Sequence, residues 1–364
     1  ITELSRLKNL IVIARSSSFQ YRGQTPSPQE ISSDLGVSHL LEGSVRKSDD
    51  RLRISVQLVD ANTGHQLWAE RFDRVLDDVF LIQDEIARTV VSRLSVELVG
   101  GEPEQLGRPA ANSFAAYDLF LRGYRAFQGY DRESNVLAQT YFREAMDLDE
   151  NFGRAYGALA VSVARGAVVG WHENRQQALQ QALELAERGV KLSPYVPQAY
   201  WSLGYTHWHR REFDKAIAAA ERSVDLAPNY ADGFSLLGFI ASSMGRADDA
   251  IAYVNRGMKL NPNYTWDYPF SLGRALYIKG DYEAAVEQLE ESLERNSAAL
   301  YARVFLAAAL KNMGRLEEAE WQIMQVETDH PEVNLSSVEE RIPISQGPQK
   351  IKFIEDLRAA GMAE

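Results

Sequence analysis

Residues 195–228 read YVPQAYWSLGYTHWHRREFDKAIAAAERSVDLAP, and residues 229–262 read NYADGFSLLGFIASSMGRADDAIAYVNRGMKLNP. The two stretches share their spacing rather than their letters. Pro194, Pro228 and Pro262 recur every 34 residues, and Pro331 falls two periods later with one residue inserted. Gly204, Gly238, Gly273 and Ala307 keep step with them. So do Ala216, Ala250, Ala285 and Ala319, inside the strings DKAI, DDAI, EAAV and EEAE. Small residues at fixed places in a long period predict pairs of antiparallel helices that approach closely. Gly245, Gly280 or Gly314 ends the first helix of a pair. Proline blocks continuation after the second.

The pattern predicts pairs at about 197–230, 231–264, 265–299 and 300–333. A longer unit covers 153–196, where GAVVGWHENRQQ adds residues between its helices, and a weaker one covers 117–150 with Glu150 in place of the proline. This period is the signature of the tetratricopeptide repeat. Residues 113–333 are therefore expected to form an all-α superhelical solenoid of about six helical pairs. Residues 334–364 close with Ile351, Ile354 and Leu357 at helical spacing, which suits the capping segment that a solenoid needs.

The first 99 residues follow other rules and predict a small α/β domain. In ITELSRLKNLIVIAR (1–15), Ile1, Leu4 and Leu7 stand at helical spacing, and Leu10–Ala14 is an apolar run of the kind that forms a buried strand. Ser27, Pro28 and Gly36 bound a short helix. Leu52, Ile54, Val56 and Leu58 alternate with polar residues, so they mark a half-buried strand between turns at Ser48–Asp50 and Asn62–Gly64. Gln66–Phe72 supplies another strand. A helix with Leu81, Ile82, Ile86, Val90 and Leu94 on one stripe covers the sheet. Gly100, Gly101, Pro103, Gly107 and Pro109 mark residues 100–112 as a linker.

A hydrophobic content of 45% with 25% charged residues is that of a folded domain, and no apolar run is long enough for a membrane span. The absence of cysteine excludes disulfides and thiolate metal sites. A formal charge of −12 argues against nucleic acid as a partner. Arg46, Lys47, Arg51 and Arg53 are expected on a solvated strand face, and Trp68, Glu70, Arg71 and Asp73 in packing and a surface ion pair. His207 and His209 diverge on a helix and cannot share a metal ion. No phosphate loop and no nucleophile–base pair is present. The expectation is therefore no catalytic residue, no metal and no cofactor in this chain.

The first helix of each pair lines the inner groove of such a solenoid. In that register the partner-binding residues are Arg165, Gln198, Trp201, Tyr205, Trp208, His209, Phe239, Arg274, Tyr277, Lys311 and Asn312. They predict either a protein or peptide held in the groove, or cover by the first domain, the C-terminal segment or a second copy.

The string LEGSVRKSDDRLRISVQLVDANTGHQLWAERFDR, followed by IQDEIA and then the repeats, resembles a region downstream of the catalytic domain in bacterial class III adenylate/guanylate cyclases. It is similar also to the sensory region of CadC-like transcriptional regulators. In both, an α/β domain related to the amino-terminal domain of TolB precedes helical repeats, and FIEDLRAAGM resembles the tail of the cyclase group. The resemblance implies a first domain lacking its opening strand and helix start. It implies a regulatory region that binds a partner or orders a homodimer, with any catalytic residues lying upstream. The alternatives are a DNA-binding regulator with the same sensor and a stand-alone scaffold. The expected compartment is the cytoplasm, or the periplasm if a membrane span lies upstream.

Overall fold

The computed structural model describes residues 4–7, 10–49, 51–75, 82, 85–87, 89, 90 and 113–364. The expected linker at 100–112, the domain boundary at 99, and Leu81 and Leu94 of the covering helix lie outside the described residues.

Strands β1 (His39–Ser48), β2 (Arg51–Asp60) and β3 (Gln66–Val75) form an antiparallel sheet in the order β1-β2-β3. Alternation along β2 buries Leu52, Ile54, Val56 and Leu58. In the β2–β3 register Phe72 faces Ile54 and Trp68 faces Leu58, so both rings join the same core. Ile82, Ile86 and Val90 are helical and cover it. On the other face Arg53 Nε lies 2.6 Å from Asp73, and Arg71 lies 3.3 Å from the same carboxylate. These are surface ion pairs rather than a site. Before the sheet come helices α1 (Arg15–Phe19) and α2 (Pro28–Leu35). Ser27 and Glu30 close a capping box on α2, and Gly36 ends it in the left-handed region.

The opening segment departs from expectation. Leu4–Arg6 forms one short 3-10 turn rather than a helix, and Leu10–Ala14 joins no sheet. The segment lies as a strap across three turns of the solenoid whose positions repeat at Tyr195, Asn229 and Asn263. Arg6 donates to the Tyr195 carbonyl at 3.2 Å. Asn229 Nδ2 donates to the carbonyls of Leu7 and Leu10, both at 2.7 Å. The Ala14 N–H reaches the Leu260 carbonyl at 2.7 Å, Ser17 donates to Asn261 Oδ1 at 2.6 Å, and the Asn263 N–H donates to Ser17 Oγ at 2.9 Å. Backbone groups that a strand would pair within a sheet are satisfied here by repeat turns. Periodicity shows that Leu7 and Ile13 are buried, but not against what.

Six helical pairs follow. They are α3 (Phe114–Phe127) with α4 (Arg132–Leu148), α5 (Gly153–Val169) with α6 (Arg175–Leu192), and α7 (Pro197–His209) with α8 (Phe213–Leu226). Then come α9 (Ala231–Ser243) with α10 (Ala247–Leu260), α11 (Asp267–Lys279) with α12 (Tyr282–Arg295), and α13 (Leu300–Asn312) with α14 (Leu316–Asp329). Helices α15 (Leu335–Arg341) and α16 (Pro348–Ala359) come after them.

The periodic small residues set the distance within each pair. A Cβ at Gly238 would stand 2.3 Å from Val254 Cγ2, and one at Gly273 would stand 2.7 Å from Leu289 Cγ and 3.1 Å from the Ala285 carbonyl. Ala216, Ala250, Ala285 and Ala319 of the second helices are fully buried at the same seams. Gly238→Ala should therefore destabilise the protein by about 1–3 kcal/mol, because the clash with a stiff, buried valine outweighs the better helix propensity of alanine. Urea unfolding followed by circular dichroism measures this, and an unchanged or raised midpoint would contradict it.

Candidate functional site

The first helices α3, α5, α7, α9, α11 and α13 make the inner face. Their aromatic side chains form a continuous rail along it. Trp201 and Tyr205 stack with centroids 5.3 Å apart, and Tyr205 meets the edge of His209 at 4.5 Å. Trp208 packs on Phe239 at 5.3 Å, Phe239 on Phe270 at 5.4 Å, and Phe270 on Phe305 at 5.9 Å. Each such contact adds about 0.5–1.5 kcal/mol beyond area burial, so the rail stiffens the face that a partner would meet.

Apart from Arg165, the structure separates the predicted groove residues into three groups. Gln198, Trp201, Tyr205 and Phe239 are half-buried along the rail. Trp208 and His209 are buried instead of lining the groove, at 6% and 4% exposure. Adjacent first helices close over them, and Trp208 Nε1 donates to Ser243 Oγ at 2.7 Å. Burial, with the nearby cations Arg175 and Arg274, pushes the His209 imidazole down to about 3, so it is neutral at physiological pH. His207 points elsewhere and pairs with Glu212 at 2.7 Å. Among the described residues no group of three or more potential ligands could hold a metal ion.

Arg165 is a tie rather than a free contact. It donates to the Phe127 carbonyl at 2.7 Å, and its guanidinium lies 3.4 Å from the Phe127 ring centroid and 4.7 Å from that of Tyr130. Tyr130 in turn meets Trp266 edge-on at 5.5 Å. The first pair thus touches the fifth across the groove.

The third group, Arg274, Tyr277, Lys311 and Asn312, is occupied by the chain's own C-terminal segment. Arg274, 1% exposed, donates to the Pro343 carbonyl and to Ser243 Oγ, both at 2.7 Å. Burial pushes its guanidinium down to about 9. Asp356 accepts hydrogen bonds from Tyr277 Oη at 2.5 Å, Asn312 Nδ2 at 2.6 Å, Lys352 Nζ at 2.7 Å and Lys311 Nζ at 2.9 Å. Burial works to raise this carboxyl, and those four donors overcome it and hold it below its ordinary value. Phe353 extends the aromatic rail by stacking on Phe305 at 4.3 Å.

Two features lie outside the groove residues named above. Arg211 Nη2 donates to the carbonyls of Glu339, Glu340 and Ile342 at 2.6, 3.0 and 3.0 Å, and Nη1 donates to that of Ile344 at 3.3 Å. Its φ of +62° occupies the turn position where Gly245, Gly280 and Gly314 stand in later pairs. A non-glycine residue there costs about 1 kcal/mol. That substitution within the period is the signal that could have revealed it. The second feature is the pair Asp232 and Asp267 beside Trp201. Trp201 Nε1 donates to the Asp232 carbonyl at 2.9 Å, and Tyr268 Oη donates to the Asp232 carboxylate at 2.9 Å. Desolvation by the walls of the concave face and then the negative charge of Asp267 push the Asp232 carboxyl up to about 6, although the residue itself is exposed.

Comparison with known proteins agrees with this geometry. Residues 171–231 and 270–329 match one family model described as tetratricopeptide repeat, and residues 231–264 match another. The helical pairs within these matched residues are tetratricopeptide repeats. The chain is 37% identical over 212 residues to "Putative adenylate cyclase 3" of Rhizobium meliloti (strain 1021), a match that covers 58% of this chain and 36% of that protein. The chain thus spans about a third of that relative's length. Among solved structures it is similar to the thermophilic TPR protein TTC0263 of Thermus thermophilus, with 19% identity, 54% of this chain and 99% of that one covered, and a TM-score of 0.44. It is also similar to pilF of Pseudomonas aeruginosa, with 16% identity, 60% and 93% covered, and a TM-score of 0.43.

The tetratricopeptide solenoid is of a type that serves protein interaction, and two substitutions probe its inner face. Asp232→Asn keeps an acceptor for Tyr268. The folded carboxyl is raised from 3.8, so its charge opposes folding above about pH 6 and ceases to do so below about pH 4. The variant should raise the thermal midpoint at pH 7 and leave it unchanged at pH 4; equal shifts at both would contradict the burial argument. Trp208→Ala should cost about 3–5 kcal/mol by opening a core cavity, and Trp201→Ala much less. Denaturant melts of the two variants decide this.

Proposed function

We propose that this chain is the non-catalytic regulatory region of a larger bacterial signalling protein of the class III adenylate/guanylate cyclase type. The observation that carries the proposal is the 37% identity over 212 residues to the curated protein named "Putative adenylate cyclase 3", of which the match covers 36%. The order of elements supports it: a small sheet domain, which we take to be of the TolB amino-terminal kind from its sequence resemblance, precedes the tetratricopeptide repeats. Among the described residues no helix is long and apolar enough to cross a membrane.

The regulatory role is partner binding through the inner face, with Gln198, Trp201, Tyr205 and Phe239 as its half-buried contacts. Aromatic rings held by their neighbours present large apolar area at low entropic cost, which suits a protein or peptide ligand. Output changes only if that ligand favours one arrangement of two catalytic heads over another, so its differential affinity sets the size of the response.

Expression of the complete gene in a bacterial strain without its own adenylate cyclase tests the proposal. The complete product should restore cyclic nucleotide, measured by immunoassay, and residues 1–364 alone should not. Failure of the complete product to make either cyclic AMP or cyclic GMP would remove the cyclase assignment.

A further inference from the structure

The C-terminal segment sits on the solenoid as a peptide sits in a binding track. A cap needs only to cover the last pair, whereas this segment is held by polar groups from four. Arg211 comes from the third pair, Ser243 from the fourth, Arg274 and Tyr277 from the fifth, and Lys311 and Asn312 from the sixth. Residues 342–345 form neither helix nor strand, and the carbonyls of 342–344 and the N–H of 345 bond to the repeats. Arg211 takes the Ile342 and Ile344 carbonyls, Arg274 takes that of Pro343, and the Ser345 N–H donates to the Ser243 carbonyl at 2.8 Å. Helix α16 then buries Phe353, Asp356 and Leu357 on one face. The left-handed Arg211 stands where the three later pairs place glycine, and its guanidinium donates to four carbonyls of this segment. Strain kept at a position that makes such contacts points to recognition.

We propose that this track is a peptide-binding site and that residues 339–357 are its tethered occupant. A partner segment of the same chemistry displaces it: an extended stretch that offers its carbonyls to Arg211 and Arg274, followed by an amphipathic helix with an aromatic ring and a carboxylate three residues apart. The proposal rests on the partner-binding role of the inner face above and extends it from the half-buried rings to this second stretch of the same face. Tethering gives the segment an effective concentration of order millimolar, so a free copy of the same peptide competes weakly. Weakening the tether's own grip raises the apparent affinity for the free copy by the same factor.

The test uses the full chain and a fluorescent peptide of residues 338–358. Asp356→Ala alters the occupant and leaves Tyr277, Lys311 and Asn312 in place. It should raise peptide affinity, read by anisotropy, at least tenfold over the unmodified chain, and a peptide lacking the carboxylate at the Asp356 position should lose that gain. Hydrogen exchange should speed up in residues 342–360 while α11–α14 stay protected. Faster exchange in the segment without tighter peptide binding would overturn the proposal, as would loss of protection in the repeats together with it. If Asp356→Ala does not fold, a protease site inserted after Gln346 replaces it. Cleavage should then let a labelled peptide of residues 348–364 exchange into a folded chain, and failure to exchange would overturn the proposal. A dimer formed by swapping this segment between copies, detected by light scattering, would replace the separate partner with a second copy. Cyclic nucleotide plays no role in these readouts, so their failure is distinct from failure of the cyclase assignment.

Discussion

The close approach of two helices at one small residue sets the rest of this structure. At Gly238 and Gly273 there is no room for a methyl group, and the second helices answer with fully buried alanines. This contact fixes the tilt within each pair, and repetition at 34-residue spacing turns that tilt into a superhelix. A superhelix has an inner face by necessity. Everything that touches it inherits its curvature, including the aromatic rail, the cross-groove tie at Arg165 and the C-terminal segment.

Both ends of the chain use this scaffold in different ways. The opening segment meets the turns between pairs through backbone carbonyls and asparagine side chains. The closing segment meets the ends of the first helices through arginines and one buried aspartate. Asparagine can donate and accept at a tight turn, and arginine can span several carbonyls from one position. Each residue type therefore matches the backbone it must satisfy.

The repeats were legible because their constraint is local and periodic, so small residues recur in step along the sequence. The β2 strand was legible for the same reason, since Leu52 to Leu58 alternate on a two-residue period. Leu10–Ala14 has the pattern of a strand without being one, because β-branched apolar residues signal burial, not the identity of the surface that buries them. Trp208, His209 and Arg274 lie on first helices as expected, but the choice between groove lining and core depends on a quarter-turn of the helix and on neighbours far away in sequence. Arg165 and Arg274 likewise could not reveal their partners, Phe127 and Pro343, from spacing alone.

The strap has a mechanical consequence. Its anchors at Tyr195, Asn229 and Asn263 stand at one position of three successive repeats. A covalent segment pinned at regular intervals to a spring measures the pitch of that spring. Any ligand that lengthens or shortens the superhelix between the second and fourth pairs must slide or break an anchor, and the sheet that follows the strap in the chain feels the pull.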